Sequence, residues 1–223
     1  MLIVLEGLDG AGKSTQIGML REYFENRGEK VQFLHFPRFD APVYGTLIAR
    51  FLRGDFGSIE SVHPMLVALL FAEDRRDASA VIRTWLDKGS VVILDRYIYS
   101  NIAFQCAKAN PSFAQELRDW IFETEFGKYK IPVPDLNLFL DVPLQFVNEK
   151  LSGQRDGIDR DYLQGKKDIH ESDIEFQKMV RQIYLQECKR EEGLIRVDCG
   201  SEMGDILPAT EISAKILTLV NNI

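Results

Sequence analysis

The stretch that decides the fold is Gly7-Leu8-Asp9-Gly10-Ala11-Gly12-Lys13-Ser14, which follows the apolar run Leu2–Leu5 and precedes a helical pattern. It fits G-x-x-x-x-G-K-[ST], the pattern of a phosphate-binding loop. The glycines let backbone N–H groups turn inward around an anion, and the N-terminal end of the following helix adds partial positive charge. Lys13 is expected on the β- and γ-phosphates and the Ser14 hydroxyl on Mg²⁺. The stretch therefore predicts a site for a nucleoside triphosphate.

Short apolar strands alternate with longer amphipathic segments along the whole chain. Strands are expected at Leu2–Leu5, Val31–His35, Val91–Leu94, Leu136–Asp141 and Leu194–Asp198. Helices are expected at about 13–27, 64–89, 98–109, 112–127 and 143–153, and from about 172 onward. This alternation favours an α/β fold of three layers, with a five-stranded parallel sheet flanked by helices. Because no repeat, low-complexity tract or linker divides the chain, residues 1–223 are expected to form a single domain.

The composition excludes several classes of function. A formal net charge of -7 argues against a general nucleic-acid-binding surface. Cys106, Cys188 and Cys199 are widely spaced and odd in number, so they are expected to be free thiols in a reducing compartment. The N-terminus lacks a basic signal region, and no apolar stretch reaches membrane-spanning length. We therefore expect a cytoplasmic protein without a membrane partner.

The tripeptide Asp95-Arg96-Tyr97 follows the apolar run Val91–Leu94. In an open parallel sheet, ligands bind beyond the carboxyl ends of the strands, where the phosphate-binding loop also lies. Asp95 is expected to hold Mg²⁺, directly or through water, and Arg96 to bind an acceptor phosphate. An ion pair with a capping role is the alternative interpretation.

Two helix faces combine aromatic and polar side chains. Asn101, Phe104 and Gln105 recur at helical spacing, which is typical of a surface that reads a planar base through amides. Phe71 and Arg75 are one helical turn apart and place a ring beside a guanidinium. By pattern alone, Phe71 is more often a core residue and Arg75 a solvated one.

A charged stretch poor in apolar residues runs from Ser152 to Asp168. It carries Arg155, Arg160, Lys166 and Lys167, and its alternative interpretation is a solvated loop. Phosphoryl transfer needs positive charge and the exclusion of water, and a mobile segment can supply both. A basic lid is therefore expected at about 152–170.

Together these segments resemble thymidylate kinase, a family of P-loop nucleoside monophosphate kinases. The resemblance is carried by Leu5–Thr15, Phe36-Pro37-Arg38, Phe71–Arg75, Asp95-Arg96-Tyr97 with Ser100-Asn101, and the basic loop before Asp168-Ile169-His170-Glu171. It implies that ATP, with Mg²⁺, donates its γ-phosphoryl to dTMP and yields dTDP and ADP in dTTP biosynthesis. It also implies a homodimer, in which Met65, Leu66, Leu69 and Leu70 are either interface or core residues.

The resemblance also implies roles for individual residues. Phe71 would stack on thymine, Arg75 would donate to a thymine carbonyl, and Asn101 and Gln105 would border the base edge. Phe104 would crowd the 2′ position, and Asp9 would reach the 3′-hydroxyl. The implied dTMP-binding set is Asp9, Arg38, Phe71, Arg75, Arg96, Ser100, Asn101, Phe104 and Gln105. The implied ATP-binding set is Gly7, Leu8, Asp9, Gly10, Ala11, Gly12, Lys13, Ser14 and Thr15. The implied catalytic residues are Lys13, Asp95, Arg96 and Arg155, with Ser14 and Asp95 as metal ligands.

One departure from the family pattern lies in the loop. Some members carry a catalytic arginine where this chain has Gly10, so here the basic lid is expected to supply the charge. Arg155 is the first choice among its four cations. No histidine receives an acid–base role, because a phosphate monoester with a second pKa near 6 is already a dianionic nucleophile.

Two alternatives from other classes remain at this point. A deoxynucleoside kinase would place a carboxylate base near the 5′-hydroxyl, at the end of the second strand, where this chain has Phe36-Pro37-Arg38. A P-loop switch protein would need ordered switch segments and, in a GTPase, an N-K-x-D pattern, which this chain lacks.

Overall fold

The computed structural model describes residues 1–58, 61–152, 162–164, 168, 170, 174–190 and 193–223. Its strands are β1 (Leu2–Gly7), β2 (Val31–His35), β3 (Val91–Asp95), β4 (Leu136–Asp141) and β5 (Leu194–Asp198). They form one sheet in the order β2-β3-β1-β4-β5, and every neighbouring pair is parallel. The expected five-stranded parallel sheet is confirmed.

The helices of the described residues cover both faces of the sheet. They are α1 (Lys13–Glu25), α2 (Tyr44–Leu52), α3 (Pro64–Asp87), α4 (Ile98–Cys106), α5 (Pro111–Phe122), α6 (Leu144–Ser152), α7 (Ile174–Cys188) and α8 (Ala209–Val220). The expected helices are present, with ends that differ by a few residues. One prediction was wrong about the type of helix. The segment 112–127 is not one α-helix, because α5 ends at Phe122 and is followed by a π-helix at Glu123–Lys128.

Two helices, α2 and α8, were not predicted from the sequence. The residue before each helix lacks a capping side chain. The residue before α2 is Val43, which has φ 68° and gives no side-chain cap, and the residue before α8 is Pro208, which gives none either. Helix starts are recognised by Ser, Thr, Asp or Asn at this position. Neither segment carries that signal.

The centre of the sheet forms the main core. The side chains of Leu2–Leu5 are at most 1% exposed, and β3 and β4 are buried along their whole lengths. Strands buried on both faces read as continuous apolar runs, which is why their pattern was clear in the sequence. A second apolar cluster joins α2 to α3 through Ile48, Phe51, Leu52 and Val67. Because β1 and β3 are neighbours, the phosphate-binding loop and Asp95-Arg96 leave the sheet side by side.

Cys106 and Cys199 are buried, and all three cysteines are free, as expected. Burial raises the pKa of each thiol to about 12, which keeps it protonated. Within the described ranges, no helix has the length and apolar character needed to cross a membrane.

Candidate active site

The phosphate-binding loop takes the backbone conformation that its glycines permit. Gly10 has φ 76° and Gly12, directly before α1, has φ 79°. A Cβ built on Gly12 would meet nothing within 4 Å, so glycine is required there by the left-handed backbone and not by lack of space. Lys13 Nζ folds back and donates to Leu8 O at 3.1 Å. Burial and the nearby Arg96 guanidinium lower the pKa of Lys13, although Asp95 opposes the shift.

A cavity of about 990 Å³ opens beyond the carboxyl ends of β1, β2 and β3. It is lined by residues of the loop, the β2–α2 connection, α3, α4 and the region expected to be a lid. Those that carry its polar character are Asp9, Lys13, Ser14, His35, Arg38, Arg75, Asp95, Arg96, Ser100, Asn101, Gln105, Asp168 and His170. The expected site residues Phe71 and Phe104 line the same cavity.

Asp95 presents a carboxylate oxygen that no group of the described residues satisfies. Its Oδ1 is buried without a hydrogen-bond partner, 3.9 Å from Lys13 Nζ, and its Oδ2 lies 3.3 Å from Nδ1 of His35. Burial alone would raise the pKa of Asp95, but Lys13, His35 and Arg96 outweigh burial and hold that pKa at about 2. The group is therefore a carboxylate at neutral pH.

The wall of the cavity offers oxygen atoms that suit Mg²⁺. This ion keeps several waters and takes one or two protein oxygens in addition to substrate phosphates. An unsatisfied Asp95 oxygen and the exposed Ser14 side chain, both on the wall of the cavity, meet that requirement. No group of three or more His, Cys, Asp or Glu capable of holding a metal by itself occurs among the described residues. The residues fit a metal that arrives with a nucleotide.

Arg96 is held at the centre of the site. Its Nη1 donates to Gly7 O at 2.8 Å and to Ser100 Oγ at 3.1 Å, and its Nη2 donates to Asp9 Oδ1 at 2.7 Å. Burial would lower the pKa of Arg96, but the acidic neighbours, Asp9 first, raise it. Arg96 has φ 70°, a conformation that non-glycine residues rarely adopt and that concentrates at functional sites.

Glu6 explains how the turn at Arg96 is maintained, and sequence reasoning missed it. This fully buried side chain accepts hydrogen bonds from Tyr97 N at 2.9 Å, Ser100 N at 3.2 Å and Tyr184 Oη at 3.0 Å, and also from Ser100 Oγ. It thereby satisfies free N–H groups at the start of α4. Burial raises the pKa of Glu6 despite these bonds. The available signal was an acidic residue directly after the apolar run Leu2–Leu5.

Arg38 lies on the cavity wall and is held by α3. Its Nε donates to Asp74 Oδ1 at 2.8 Å, and its Nη2 donates to Asp77 Oδ2 at 2.7 Å. The backbone N–H of Arg38 also donates to Asp74 Oδ2 at 2.9 Å. Burial raises the pKa of Asp74, and the contacts with Arg38 oppose that shift. The acidic partners were not predicted, although the guanidinium was.

The expected base-reading residues are brought together on α3 and α4. Arg75 is 2% exposed and makes a bidentate pair with Glu125 of the π-helix, from Nε at 2.5 Å and from Nη2 at 2.7 Å. Asn101 donates from Nδ2 to Ala68 O at 3.0 Å and to Glu125 Oε1 at 2.9 Å. The Oδ1 atom of Asn101 is buried and has no partner among the described residues.

The aromatic and amide neighbours on α4 are also fixed. Phe104 is 7% exposed, and the Arg96 guanidinium lies 5.1 Å from its ring centroid. Gln105 is buried and accepts at Oε1 from Lys108 Nζ at 2.9 Å. Burial lowers the pKa of Lys108 to about 7.

Only part of the expected lid lies in the described residues, and that part is docked. Tyr162 stacks on Phe39 with ring centroids 3.6 Å apart, and its hydroxyl donates to Asp168 Oδ2 at 2.7 Å. Gln177 of α7 joins this region to the phosphate-binding loop, because its Nε2 donates to His170 O at 2.9 Å and to Asp9 Oδ2 at 3.1 Å. Burial and Lys108 lower the pKa of His170, so this ring is neutral. The four cations expected of the lid, Arg155, Arg160, Lys166 and Lys167, lie outside the described residues.

Some expected loop residues do not line the cavity. Leu8 and Ala11 are core residues at 1% and 3% exposure. The lining of the cavity also does not include Gly7, Gly12 or Thr15. Gly7 contributes through its carbonyl, which accepts from Arg96 at 2.8 Å.

One side of the cavity is formed by the phosphate-binding loop, and the other side carries the guanidinium groups of Arg38, Arg75 and Arg96 and the Asn101 Oδ1 atom, which has no partner among the described residues. A G-x-x-x-x-G-K-[ST] loop at the carboxyl edge of a parallel sheet, facing a cavity with further cationic groups, is typical of P-loop kinases, which pass a phosphoryl group between two bound molecules.

Comparison with known proteins identifies the family within this class. The family model described as Thymidylate kinase matches residues 5–207. The thymidylate kinase of Mycobacterium tuberculosis (strain ATCC 25618 / H37Rv) is 35% identical over 187 residues, which cover 83% of this chain and 85% of that protein. The probable thymidylate kinase of Thermococcus kodakarensis is 36% identical over 191 residues, which cover 83% of each chain. A solved structure of the thymidylate kinase from Candida albicans aligns with a TM-score of 0.72 at 27% identity, covering 99% of this chain and 91% of that chain. The chain belongs to the thymidylate kinase family. It is an enzyme that phosphorylates dTMP.

Proposed function

We propose that the cavity aligns Mg²⁺-ATP and dTMP for direct transfer of the γ-phosphoryl, with the triphosphate on the loop and thymine between α3 and α4. The observation that carries this assignment is the pair formed by Arg75, a buried donor, and Asn101 Oδ1, a buried acceptor that no described residue satisfies. Thymine offers the complementary edge, because its O4 accepts and its N3–H donates. Cytosine reverses both groups. The pair therefore favours thymine, with Phe71 as the stacking ring.

Transfer of the phosphoryl group to dTMP needs no general base. The phosphate of dTMP is largely dianionic at neutral pH, since its second pKa is near 6. The task is to align two polyanions and offset their repulsion. Lys13, Arg38 and Arg96 are among the positively charged residues on the wall of the cavity. We assign the acceptor phosphate to Arg38 and Arg96 and the transferring phosphoryl to Lys13.

The sugar is assigned to the groups beside Arg96. Asp9 is held by Arg96 and Gln177 and is placed to accept from the 3′-hydroxyl. Phe104 presents an apolar ring that cannot pair with a 2′-hydroxyl. A ribonucleotide would therefore bury an unsatisfied hydroxyl, which costs about 1–3 kcal/mol.

The metal is assigned to Asp95 and Ser14 together with the phosphate oxygens. Mg²⁺ held there by Asp95 and Ser14 would supply positive charge that offsets the negative charge of the phosphates during transfer. Asp95 is suited to this role because its pKa of about 2 keeps it ionised and its Oδ1 is unsatisfied.

The two alternatives drawn from the sequence are not favoured. A deoxynucleoside kinase would need a base for the 5′-hydroxyl, and the position expected for it holds Arg38, paired to Asp74. The family assignment also argues against a P-loop switch protein.

The remaining parts of the proposal rest on the sequence and the resemblance. They are a homodimer, a cytoplasmic location, no nucleic-acid partner, a single domain and a basic lid at about 152–170 in which Arg155 reaches the phosphates.

An ADP-release assay with Mg²⁺-ATP tests the proposal against dTMP, dUMP, dCMP, dGMP, UMP and thymidine. A clear preference for dTMP over dCMP supports the base assignment, a preference for dUMP over UMP supports the sugar assignment, and a preference for dTMP over thymidine supports the phosphate assignment. A preference for thymidine would replace the acceptor assignment with a nucleoside kinase. ADP release without dependence on any acceptor would leave only the triphosphate site.

A further inference from the structure

A carboxylate that was not among the expected site residues is hydrogen-bonded to Arg75 and Asn101, the two residues expected to bind the base. Glu125 lies in the π-helix Glu123–Lys128, and its side chain is fully buried. Fifty residues separate it from Arg75 and 24 from Asn101, so it joins α3 and α4 to a third element. Single-turn π-helical segments are frequent at functional sites.

The bonds of Glu125 decide which side of each partner is left for a ligand. Its Oε2 accepts from Arg75 Nε at 2.5 Å, and its Oε1 accepts from Arg75 Nη2 at 2.7 Å. The same Oε1 accepts from Asn101 Nδ2 at 2.9 Å, and Ala68 O accepts from that amide at 3.0 Å. Glu125 therefore occupies one edge of the guanidinium and the donor side of the amide.

What remains is one donor beside one acceptor. Nη1 is the nitrogen of Arg75 that Glu125 does not occupy, and Oδ1 of Asn101 has no hydrogen-bond partner among the described residues. Both residues line the cavity. An asparagine that is free to flip presents either a donor or an acceptor, and it would read thymine and cytosine about equally. The Oε1 atom of Glu125 and the carbonyl of Ala68 both accept from Asn101 Nδ2 and remove that freedom.

We propose that Glu125 is a positioning residue that sets the base selectivity of this kinase, because it holds Arg75 as a donor and Asn101 as an acceptor toward the base. This inference rests on the proposed function, in which these two side chains read thymine. Glu125 itself does not line the cavity.

The electrostatic balance agrees with this role. Burial would lower the pKa of Arg75, but Glu125 and Asp74 outweigh burial and raise it. The guanidinium is thus a permanent donor, held in one plane by the carboxylate fork.

The substitution Glu125→Gln tests the inference, because it keeps the shape and replaces one acceptor oxygen with a donor. The probe is 5-methyl-2′-deoxycytidine 5′-monophosphate, which shares the methyl group, sugar and phosphate of dTMP and differs only at N3 and at position 4. Sites built to hydrogen-bond a substrate group reject the mismatched analogue strongly, so we expect the kcat/KM ratio of dTMP to this probe to fall by about 10-fold or more in the variant. The dTMP to dUMP ratio, which reports the methyl group, is expected to change by less than about 2-fold.

The matched control is Glu123→Gln on the same π-helix. Its side chain is 64% exposed and pairs only at the surface with Lys128, at 3.1 Å. It is expected to leave both ratios unchanged. If Glu125→Gln does not fold, Glu125→Asp keeps the charge beside Arg75 but shortens the reach to Asn101, and the same fall in the dTMP to probe ratio is expected.

The outcomes separate this inference from the proposal beneath it. If the wild-type enzyme has the same kcat/KM for the probe as for dTMP, the base-reading assignment of Arg75 and Asn101 fails. If the unchanged enzyme discriminates and the Glu125 variants lower kcat/KM equally for dTMP, dUMP and the probe, Glu125 has only a structural role and the inference is overturned.

Discussion

Asp95 shows how a single buried residue keeps its charge at this site. Its pKa of about 2 lies below its ordinary value of 3.8 because Lys13, His35 and Arg96 outweigh the effect of burial. A carboxyl whose pKa is lower in the folded state stabilises the fold above its ordinary pKa, and that stabilisation is lost as the pH falls. For Asp95 the loss falls between about pH 4 and pH 2.

The substitution Asp95→Asn is expected to remove this dependence and to impair use of the metal. Loss of the anionic oxygen should raise the Mg²⁺ concentration for half-maximal activity and lower kcat by about 100-fold. A magnesium titration of ADP release measures both, and binding of ATP without metal serves as the control. A variant with an unchanged magnesium requirement would remove Asp95 from the metal site.

Lys108, unlike Asp95, is shifted by burial toward its neutral form. Burial lowers the pKa of its ammonium group from the ordinary value of 10.5 to about 7. Between those two pH values, the unfolded chain binds a proton that the folded chain does not, so stability rises with pH. Below about pH 7 the penalty of burying the charge is fully present.

We therefore expect Lys108→Met to raise the thermal midpoint more at pH 6.5 than at pH 9.5, by a few degrees. Thermal denaturation of both proteins at the two pH values measures the difference. Lys108 Nζ lies 4.8 Å from the centroid of the Phe51 ring. Equal shifts at both pH values would show that packing against this ring, not charge, controls the effect.

At the scale of elements, α2 and the loop that precedes it are fitted to each other through Gly45. A Cβ at Gly45 would lie 2.3 Å from Arg38 O and 2.7 Å from Phe39 O. Both are backbone atoms, so the loop would have to move. This close approach positions Arg38 against α3.

The substitution Gly45→Ala is thus expected to raise the KM for dTMP by about 10-fold and to leave the KM for ATP nearly unchanged, because a displacement of about 1 Å weakens phosphate positioning. The matched control is Gly18→Ala in α1, where a Cβ meets nothing within 4 Å. That change should stabilise the protein by about 0.5–1 kcal/mol. Equal rises of both KM values in the Gly45 variant would contradict the local effect.

At the scale of the whole molecule, the surface of α3 bears on the proposed homodimer. Of the four apolar residues considered, Leu66 is 62% exposed, whereas Met65, Leu69 and Leu70 are half-buried. Met65 packs on the main core, and Leu70 packs on the second apolar cluster. Leu66 is the member of this set that is best placed for an interface.

Light scattering is expected to give twice the mass of the chain for the unchanged protein and to show dissociation for Leu66→Glu, because a buried unpaired carboxylate is costly. Val133→Glu, at a side chain that is 71% exposed, is the control and should keep the mass. A single-chain mass for the unchanged protein would contradict the dimer.

Local features of the sequence were sufficient for much of the fold and of the site. The glycines of the loop, Lys13 and Ser14 act through their own backbone and neighbours, so their pattern predicts their structure. The buried parallel strands read as apolar runs, and the rule that ligands bind at the carboxyl ends of parallel strands predicts that Asp95 and Arg96 lie beside the loop.

The tertiary structure alone decided which partners hold those residues. The sequence analysis gave no role to Glu6, Asp74, Glu125 or Gln177, and each acts on a residue from a distant segment, as Glu125 does on Arg75 across 50 positions. The helices α2 and α8 and the π-helix were also not predicted from the sequence. By itself, the sequence determined the phosphate-binding loop and the sheet, because their signals are local, and it indicated about half of the residues that line the cavity. Which atoms of those residues face the cavity was decided only when packing brought the buried carboxylates against them, because that pairing depends on the whole fold.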